Sequence, residues 1–503
     1  MKRFNLFALS FFVLFSASSC FKDNDDDLIS ASEINDFVWK GMNFFYVYKD
    51  EIPNLANDRF SSDEEYAEYL NGFAQPEDLF NSLLFQPQTV DRFSAIVPNY
   101  FELEQLLQGT TLNNGMVFGL VRVPNDASAI FGYVRYVLPN TSAESQGLTR
   151  GVIFDGVDGT PLTDSNFRSL LFGENTSYTI NIADYNDNGT ATTSDDTITS
   201  TDASVSLTKE VYTENPILIN DIIEIGGKKI GYLMYNGFRF EDGPVTELNQ
   251  AFDDFGNANI DDLVLDLRYN GGGSVSTAIW LSSMITGQFT GQPLFEENWN
   301  SDIQSFFETE NPDLLVNPFV DTIVKTDGDG NVVFQQDINS LNLGKVYILT
   351  TSRTASASEL VINGLRPYID VIQIGDNTTG KPQASRTVYD SEDFGRANAN
   401  PNHTYAIQPL IYESANASGF SSYYNGLAPS TGFELNENFG NLGTLGDINE
   451  PLLARAIEDI TGAGRSFTPE FEGLEVMAEQ NFNQPFATEM FDNRPSKALK
   501  RKE

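Results

Sequence analysis

Three hydroxyl side chains stand close together in the stretch TASASELV, residues 354–361, just after the apolar run VYILTT. A serine in such a run could be a nucleophile, but it needs a base to take its proton. The usual base is histidine, and the sequence singles out no carboxylate partner for the one histidine, His403, which is typical of a surface or structural residue. Ser356 and Glu359 also have capping-box spacing, so this stretch alone favours an ordinary helix start.

Two further stretches carry groups that a serine nucleophile would need. LVLDLRYNGGGSV, residues 263–275, leads an apolar strand into three glycines, whose unobstructed N–H groups could form an oxyanion hole. IGDNTTGKPQAS, residues 374–385, places Lys381 in a loop after a buried strand. Lysine is a poor base at its ordinary pKa of about 10.4, but burial or positive neighbours lower that value. Alone, either stretch is compatible with a turn or an exposed loop.

Together the three stretches resemble the C-terminal (tail-specific) processing peptidases. The shared features are a strand followed by Asp-Leu-Arg-x-Asn-x-Gly-Gly, the small-residue helix start and a lysine 25 residues after the middle serine. The resemblance implies that Ser356 is the nucleophile and Lys381 the base, with the N–H groups of Ala357 and Gly272 holding the oxyanion. It also implies an α/β catalytic core related to the crotonase and ClpP folds, which needs no metal, cofactor or histidine.

The sequence departs from this family beside the lysine. The family has Gly directly after the lysine and Gln four residues after it, whereas here Pro382 follows, Gln383 comes at the second position and Ser385 at the fourth. Gln383 is the candidate for orienting the lysine. These departures also keep open a non-catalytic, peptide-binding protein of the same fold.

A β-rich region precedes these stretches. GMVFGLVRV and AIFGYVRYVL are strand-like, and NTSAESQGLTRGVIFDGVDGTPLT adds a short helix, turns and a strand. The string resembles a PDZ domain of bacterial proteases, with GMVFG in the place of the carboxylate-binding loop. The resemblance implies that Gly115, Met116, Val117, Phe118 and Gly119 bind the C-terminus of a polypeptide that adds as a strand to the sheet edge. A generic small β-rich domain is the alternative.

Two polar stretches look like calcium loops only at first sight. DYNDNGTATTSD, residues 184–195, has the oxygen ligands, but strand-like sequence flanks it where helices belong. TDGDGN, residues 326–331, lies between DTIVK and VVFQQ. Both are predicted to be hairpin tips, and no metal site is predicted.

The chain is predicted to be a multidomain α/β protein. The apolar runs KKIGYLMYNGF, IDDLVLDLR, GKVYILTT and DVIQIGD alternate with helical stretches, which favours a largely parallel, covered sheet. The predicted divisions are a signal peptide at 1–19, an acidic linker at 20–27, a helical N-terminal domain at 28–105, a PDZ-like domain at 106–212, a catalytic domain at 213–462 and a polar, mobile tail at 463–503.

The N-terminus, MKRFNLFALSFFVLFSASSC, has a basic start, an apolar run and small residues before Cys20. It resembles a bacterial lipoprotein signal, which implies acylation of Cys20 and attachment to the cell envelope, at the outer membrane on its periplasmic or cell-surface side. FKDNDDD then resembles the surface-export signal of Bacteroidota lipoproteins, or is an acidic linker. Cys20 is the only cysteine, so no intramolecular disulfide forms; a buried or incidental thiol is the alternative.

The charge balance restricts the partners. With 30 basic and 71 acidic residues the net charge is −41, which argues against binding nucleic acid. The resemblances to the processing peptidases, to PDZ domains and to lipoprotein signals together imply an exported serine endopeptidase acting on polypeptides with free C-termini. An acyl-CoA enzyme of the related fold is a weaker alternative, because CoA substrates are cytosolic. The sequence predicts no particular oligomeric state.

Overall fold

A computed structural model describes residues 31–190, 192–462, 474, 476–477 and 488–494. The predicted signal peptide, Cys20 and the acidic linker lie outside the described residues. The described residues form the following α-helices: α1 (Ala31–Phe45), α2 (Asp63–Asn71), α3 (Pro76–Ser82), α4 (Tyr100–Leu107), α5 (Ser142–Ser145), α6 (Phe167–Leu171), α7 (Asp242–Ala258), α8 (Val275–Thr286), α9 (Ser301–Glu310), α10 (Ala357–Leu365) and α11 (Pro451–Thr461).

The same residues form the following strands: β1 (Ala95–Val97), β2 (Thr110–Asn113), β3 (Met116–Arg122), β4 (Ile130–Val137), β5 (Ile153–Val157), β6 (Thr160–Pro161), β7 (Ser177–Asn186), β8 (Thr197–Thr208), β9 (Glu210–Thr213), β10 (Ile217–Ile225), β11 (Lys228–Tyr235), β12 (Asp262–Asp266), β13 (Gly273–Ser274), β14 (Pro293–Trp299), β15 (Val316–Pro318), β16 (Thr322–Thr326), β17 (Val332–Asp337), β18 (Lys345–Thr350), β19 (Asp370–Gly375), β20 (Gln383–Ser385), β21 (Val388–Tyr389), β22 (Ala406–Gln408), β23 (Leu410–Asn416) and β24 (Met490–Phe491).

A five-stranded sheet in the order β10-β11-β12-β18-β19 forms the centre of the larger unit. β11, β12, β18 and β19 run parallel, and β10 is antiparallel to β11. Helices α7, α8 and α10 pack on one face, and α11 packs on the other. Strands covered on both faces have apolar residues throughout, which is why these four could be predicted as a parallel set. The mixed α/β fold class is confirmed.

A second sheet, in the order β13-β24-β20-β23-β14-β15, includes a strand from the C-terminal tail. The expectation of a mobile tail is wrong for residues 488–494, because β24 lies between β13 and β20 with Met490 fully buried. The apolar pair Met490-Phe491 fills a position between two short strands whose backbone groups would otherwise lack a partner on that side.

The N-terminal helices pack into the same hydrophobic core as the five-stranded central sheet. Phe37 and Met42 of α1 belong to one cluster with Leu294 and Ile411, and β1 pairs antiparallel with β22. Farther along, Arg92 donates to the carbonyl oxygens of three residues in the loops around Lys381: Thr379 (3.3 Å), Gly380 (2.5 Å) and Tyr424 (3.0 Å). The N-terminal region thus supports the loop that carries the lysine.

Residues 110–213 form a β-rich unit with the strand order β3-β4-β5-β7-β8, in which β3 is an edge strand. Its core is built from residues such as Leu120, Phe154 and Phe167. Residues 187–190 and 192–196 belong to the tip of the β7–β8 hairpin and residues 327–331 form that of the β16–β17 hairpin, so both hairpin predictions are confirmed. No cluster of three or more metal-ligating side chains occurs among the described residues. No helix in the described ranges is long and apolar enough to cross a bilayer.

Arg150 attaches the β-rich unit to the central sheet. Its Nη2 lies 2.7 Å from Glu437 Oε1, and its Nη1 donates to the Tyr269 hydroxyl at 2.5 Å. Both carboxylate and guanidinium are buried, and burial without a partner would be costly for either charge. The contact fixes the unit beside the chain that leads into Gly271–Gly273.

Candidate active site

Ser356 lies in the tight turn between β18 and α10. Its φ is +64°, a strained value for a residue with a side chain, and such strain persists where neighbours fix the backbone. Here the Ser356 N–H donates to Glu359 Oε2 (2.7 Å), and the preceding Ala355 N–H donates to the Asn270 carbonyl (3.1 Å). The Ser356 Oγ is buried and has no hydrogen-bond partner among the described residues. The expected capping box is therefore formed only on the Glu359 side.

Ala357 is the first residue of α10 and is fully buried. An N–H in the first turn of a helix has no acceptor within that helix. The predicted oxyanion donor is thus at the positive end of a helix dipole, directly after Ser356.

Asn270 organises the glycine loop. Its side chain is buried, donates to the Tyr235 carbonyl (2.7 Å) and accepts from the Gly272 N–H (2.8 Å). The Gly272 N–H, which the family resemblance made an oxyanion donor, is therefore engaged within the loop. The next N–H, that of Gly273, donates to the carbonyl oxygen of Glu489. The structure thus favours Gly273 over Gly272 as the donor toward a carbonyl.

The glycines at this position are required by space. Gly272 has a φ of +114°, and a Cβ there would lie 2.8 Å from the Ser356 Cβ and collide with the Glu489 carbonyl oxygen. No side chain fits between the loop and the serine, so the glycine lets the backbone N–H groups approach the nucleophile.

Lys381 follows β19 and has no exposed surface. Its Nζ donates to the Thr488 carbonyl (2.9 Å) and to Glu489 Oε2 (3.1 Å), and lies 4.9 Å from the centre of the Phe93 ring. Burial lowers the pKa of Lys381, while the carboxylates of Glu489, Asp91 and Glu359 oppose that shift. Since the net shift is downward, Lys381 loses its proton more readily than a lysine in water.

Glu359 joins the serine turn to the lysine loop. Its carboxylate accepts from the backbone N–H groups of Ser356 (2.7 Å), Gly380 (2.7 Å) and Lys381 (2.9 Å), and from the Thr378 hydroxyl. Burial raises the pKa of Glu359, and these four hydrogen bonds oppose the rise. Glu359 is thus a positioning residue, and the only sequence signal for it was its capping-box spacing.

Replacing Glu359 with glutamine is expected to lower kcat about 10²-fold, because the amide brings an NH2 group against backbone N–H donors and displaces the serine from the lysine. KM should change little, since Glu359 touches no substrate. The measurement is steady-state kinetics on a peptide. The matched control is Glu310→Gln, an exposed acid at the end of α9, for which no change is expected. A kcat within twofold of wild type in Glu359→Gln would show that the bridge has no positioning role.

Two other candidate residues have different partners. Gln383 Nε2 donates to the Tyr48 hydroxyl (2.6 Å), which donates to Glu413 (2.7 Å). This amide therefore supports the N-terminal region, whereas the sequence predicted that it orients Lys381. His403 Nε2 lies 2.9 Å from Asp390 Oδ2, and its ring packs near Phe37. His403 therefore has a carboxylate partner, which the sequence did not single out. Because its ring also contacts Phe37, the pair helps to hold α1 in place.

A cavity of about 440 Å³ separates the β-rich unit from the catalytic unit. Met116, Val117 and Phe118 line one side, and the loop Gly271–Gly273 lines another. Three residues of the predicted peptide-binding segment, Met116–Phe118, therefore border the same space as the glycine loop beside Ser356. Gly115 has a φ of +89°, as its place before the edge strand β3 requires.

Two family models match this chain. Residues 229–395 match peptidase family S41, and residues 33–95 match the peptidase S41 N-terminal domain. The first range includes the serine turn, Glu359, the glycine loop and Lys381. A comparison with curated protein sequences found no match.

Two solved structures are similar to this chain, and the first of them supports a shared fold. A protein from Bacteroides fragilis assigned to the S41 proteases has a TM-score of 0.60 and 24% identity, covering 85% of this chain and 97% of that chain. A photosystem II D1 C-terminal processing protease has a TM-score of 0.45 and 17% identity, covering 85% of this chain and 100% of that chain.

Proposed function

We propose that this chain, which belongs to peptidase family S41 through residues 33–95 and 229–395, is a serine endopeptidase with a Ser356–Lys381 dyad. The supporting observation is that the loops after β12, β18 and β19 bring a glycine loop, a strained serine and a buried lysine to one edge of the parallel sheet. The carboxyl edge of parallel strands is where such folds place their ligands.

The chemistry follows from these groups. Ser356 Oγ attacks the scissile carbonyl carbon while neutral Lys381 takes the hydroxyl proton, and the oxyanion accepts hydrogen bonds from the Gly273 and Ala357 N–H groups. The C–N bond then breaks, and the Lys381 ammonium gives its proton to the leaving amine. Water attacks the acyl-Ser356 ester and gives a proton to Lys381. When the ester C–O bond breaks, the lysine returns that proton to Ser356 and the acid product leaves.

In the same proposal, the β-rich unit is a PDZ domain that selects polypeptides by their C-termini. β3 is an edge strand, and strand addition to such an edge satisfies its unpaired backbone groups. The segment Gly115–Gly119 includes the first residues of that edge strand and would receive the terminal carboxylate. The catalytic core is, in this proposal, related to the crotonase and ClpP folds.

We also place the protein at the cell envelope, held by an acyl chain on Cys20. The support is the sequence alone: the basic, apolar and small-residue segments end at the only cysteine. The mass of the N-terminal peptide from membrane-extracted protein tests this, since an unmodified residue 20 would contradict it.

The function is tested by mixing residues 21–503 with β-casein, an unfolded protein, and identifying products by mass spectrometry. We expect cleavage by the wild type and a loss of about 10⁴-fold or more in Ser356→Ala, with an unchanged circular dichroism spectrum. Undiminished cleavage by Ser356→Ala would overturn the assignment. Binding of β-casein by the wild type without cleavage would instead support a non-catalytic, peptide-binding protein.

A further inference from the structure

One described piece of the C-terminal tail lies on the edge strand of the β-rich unit. Val476 forms an antiparallel bridge with Val121 of β3, and the Met477 N–H donates to the Leu120 carbonyl (2.9 Å). Met477 is 8% exposed and joins the core of this unit. These residues use the edge to which a polypeptide ligand would add, in the antiparallel manner of an added strand.

A second piece lies across the candidate active site. β24 pairs in parallel with β13, which begins at Gly273, and with β20, which lies two residues after Lys381. The carbonyl oxygen of Glu489 accepts the Gly273 N–H, the donor assigned above to the oxyanion. The tail backbone therefore passes the nucleophile where a substrate carbonyl would have to be.

The same piece binds the lysine of the proposed dyad. Lys381 Nζ donates to Glu489 Oε2 (3.1 Å) and the Thr488 carbonyl (2.9 Å), while the Ser356 Oγ has no partner among the described residues. A carboxylate beside an ammonium favours its charged form, so Glu489 opposes the loss of the Lys381 proton that burial promotes. The tail thus occupies the substrate position and engages the base in two hydrogen bonds.

Contacts before and after β24 in the chain anchor this piece. Before the strand, Glu489 Oε2 accepts a hydrogen bond from Ser385 Oγ at 2.6 Å. After it, Arg494 forms ion pairs with Asp492 and, at 2.9 Å, with Glu297 of β14, and donates to the Leu314 carbonyl at 3.2 Å. Glu297 is buried, so the pair with Arg494 is shielded from solvent.

We propose that the C-terminal tail is an intramolecular inhibitor: residues 476–477 occupy the strand edge, residues 488–494 occupy the active site, and a polypeptide substrate must displace both pieces. The inference rests on the proposed function. It also defines how a substrate binds, as an extended strand parallel to β13 and β20 with its carbonyl on Gly273.

Release of the tail is tested at a residue away from the dyad. Arg494→Ala removes the anchor on Glu297, and its matched control is Arg59→Ala, which breaks an exposed pair with Glu65 (2.8 Å). If the tail is seated for nine-tenths of the time, its release raises kcat/KM on β-casein about 10-fold. We expect this rise in Arg494→Ala and no change in Arg59→Ala.

Glu489→Gln is a second variant with a readout of its own. It should raise kcat/KM in the same direction, and it should move the rising limb of the pH–rate profile to lower pH. The sign follows because Lys381 must be neutral to act, and the Glu489 carboxylate is the largest influence that raises its pKa. Asp91 and Glu359, the other acids that act on Lys381, are unchanged in this variant.

Seating is measured directly by hydrogen exchange in the Ser356→Ala protein. The amides of residues 490–492 should exchange slowly in the free protein and fast with saturating β-casein. Fast exchange in the free protein would overturn the proposal. The proposal would also be overturned if the wild type cleaves β-casein and Arg494→Ala cleaves it at the same rate. The peptidase assignment would still stand in that case. If exchange shows the tail released in Arg494→Ala and neither protein cleaves, the proposed function fails and the inhibitor role with it.

Discussion

Replacing Lys381 with methionine is expected to lower kcat about 10⁴-fold, the upper range for a general base. Methionine keeps the aliphatic length of the buried stem but can neither take the serine proton nor return it to the leaving amine. The effect should be close to that of Ser356→Ala, because nucleophile and base act as a unit and the double variant should lose little more.

The measurement is cleavage of β-casein by wild type, Lys381→Met and Lys228→Met, the last a partly exposed lysine at the start of β11 that serves as the matched control. Circular dichroism checks that each variant is folded. If Lys381→Met keeps more than a tenth of the wild-type kcat, another group is the base and the dyad is wrong.

Replacing Arg268 with alanine is expected to lower the free energy of unfolding of the catalytic unit by about 3–5 kcal/mol, the range for breaking a buried ion pair. Arg268 is fully buried and forms a two-pronged pair with Glu450 (2.6 and 2.9 Å) and a pair with Asp266 (2.9 Å). Removing the guanidinium leaves two carboxylates buried without their cation.

Guanidinium-induced unfolding of the two proteins measures this loss. The control is Arg59→Ala, whose exposed ion pair with Glu65 is expected to contribute little to stability. Equal shifts for Arg268→Ala and Arg59→Ala would contradict the structural role of the buried network. Since Arg268 lies two residues before Asn270, the variant should also lower activity in the fraction that remains folded.

The sequence was most informative where residues close together in the chain determine the structure. Continuous apolar runs predicted β11, β12, β18 and β19, because strands covered on both faces must be apolar throughout. Ser356 and Lys381 were identified by family spacing, and the structure explains that spacing, since each follows one of two adjacent parallel strands, β18 and β19.

The parts that the sequence did not predict depend on pairing between distant residues. β24 is two residues long and lies in a polar stretch, so no periodicity marks it, and its partners Gly273 and Ser385 are more than 100 residues away. Glu489 therefore looked like one acid among many. The choice between Gly272 and Gly273 as donor depends on the Asn270 side chain, whose direction is set by the Tyr235 carbonyl of another strand.

Glu359 has two structural roles, and the sequence predicted only one of them. Its spacing from Ser356 predicted a local cap, and that contact does form, but three of its four donors belong to the lysine loop about 20 residues later. A pattern that is typical of helix starts can thus also serve a site, and only the tertiary packing distinguishes the two roles.

The most direct test of the central claim is to locate the covalent adduct of a serine-directed fluorophosphonate by mass spectrometry of the digested protein. The reaction forms an Oγ–P bond and releases fluoride, and it requires a serine activated by a base. The Ser356–Lys381 dyad predicts one adduct, on Ser356, in the wild type, and none in Lys381→Met. An adduct on another residue, or cleavage of β-casein by a protein whose Ser356 does not react, would contradict it.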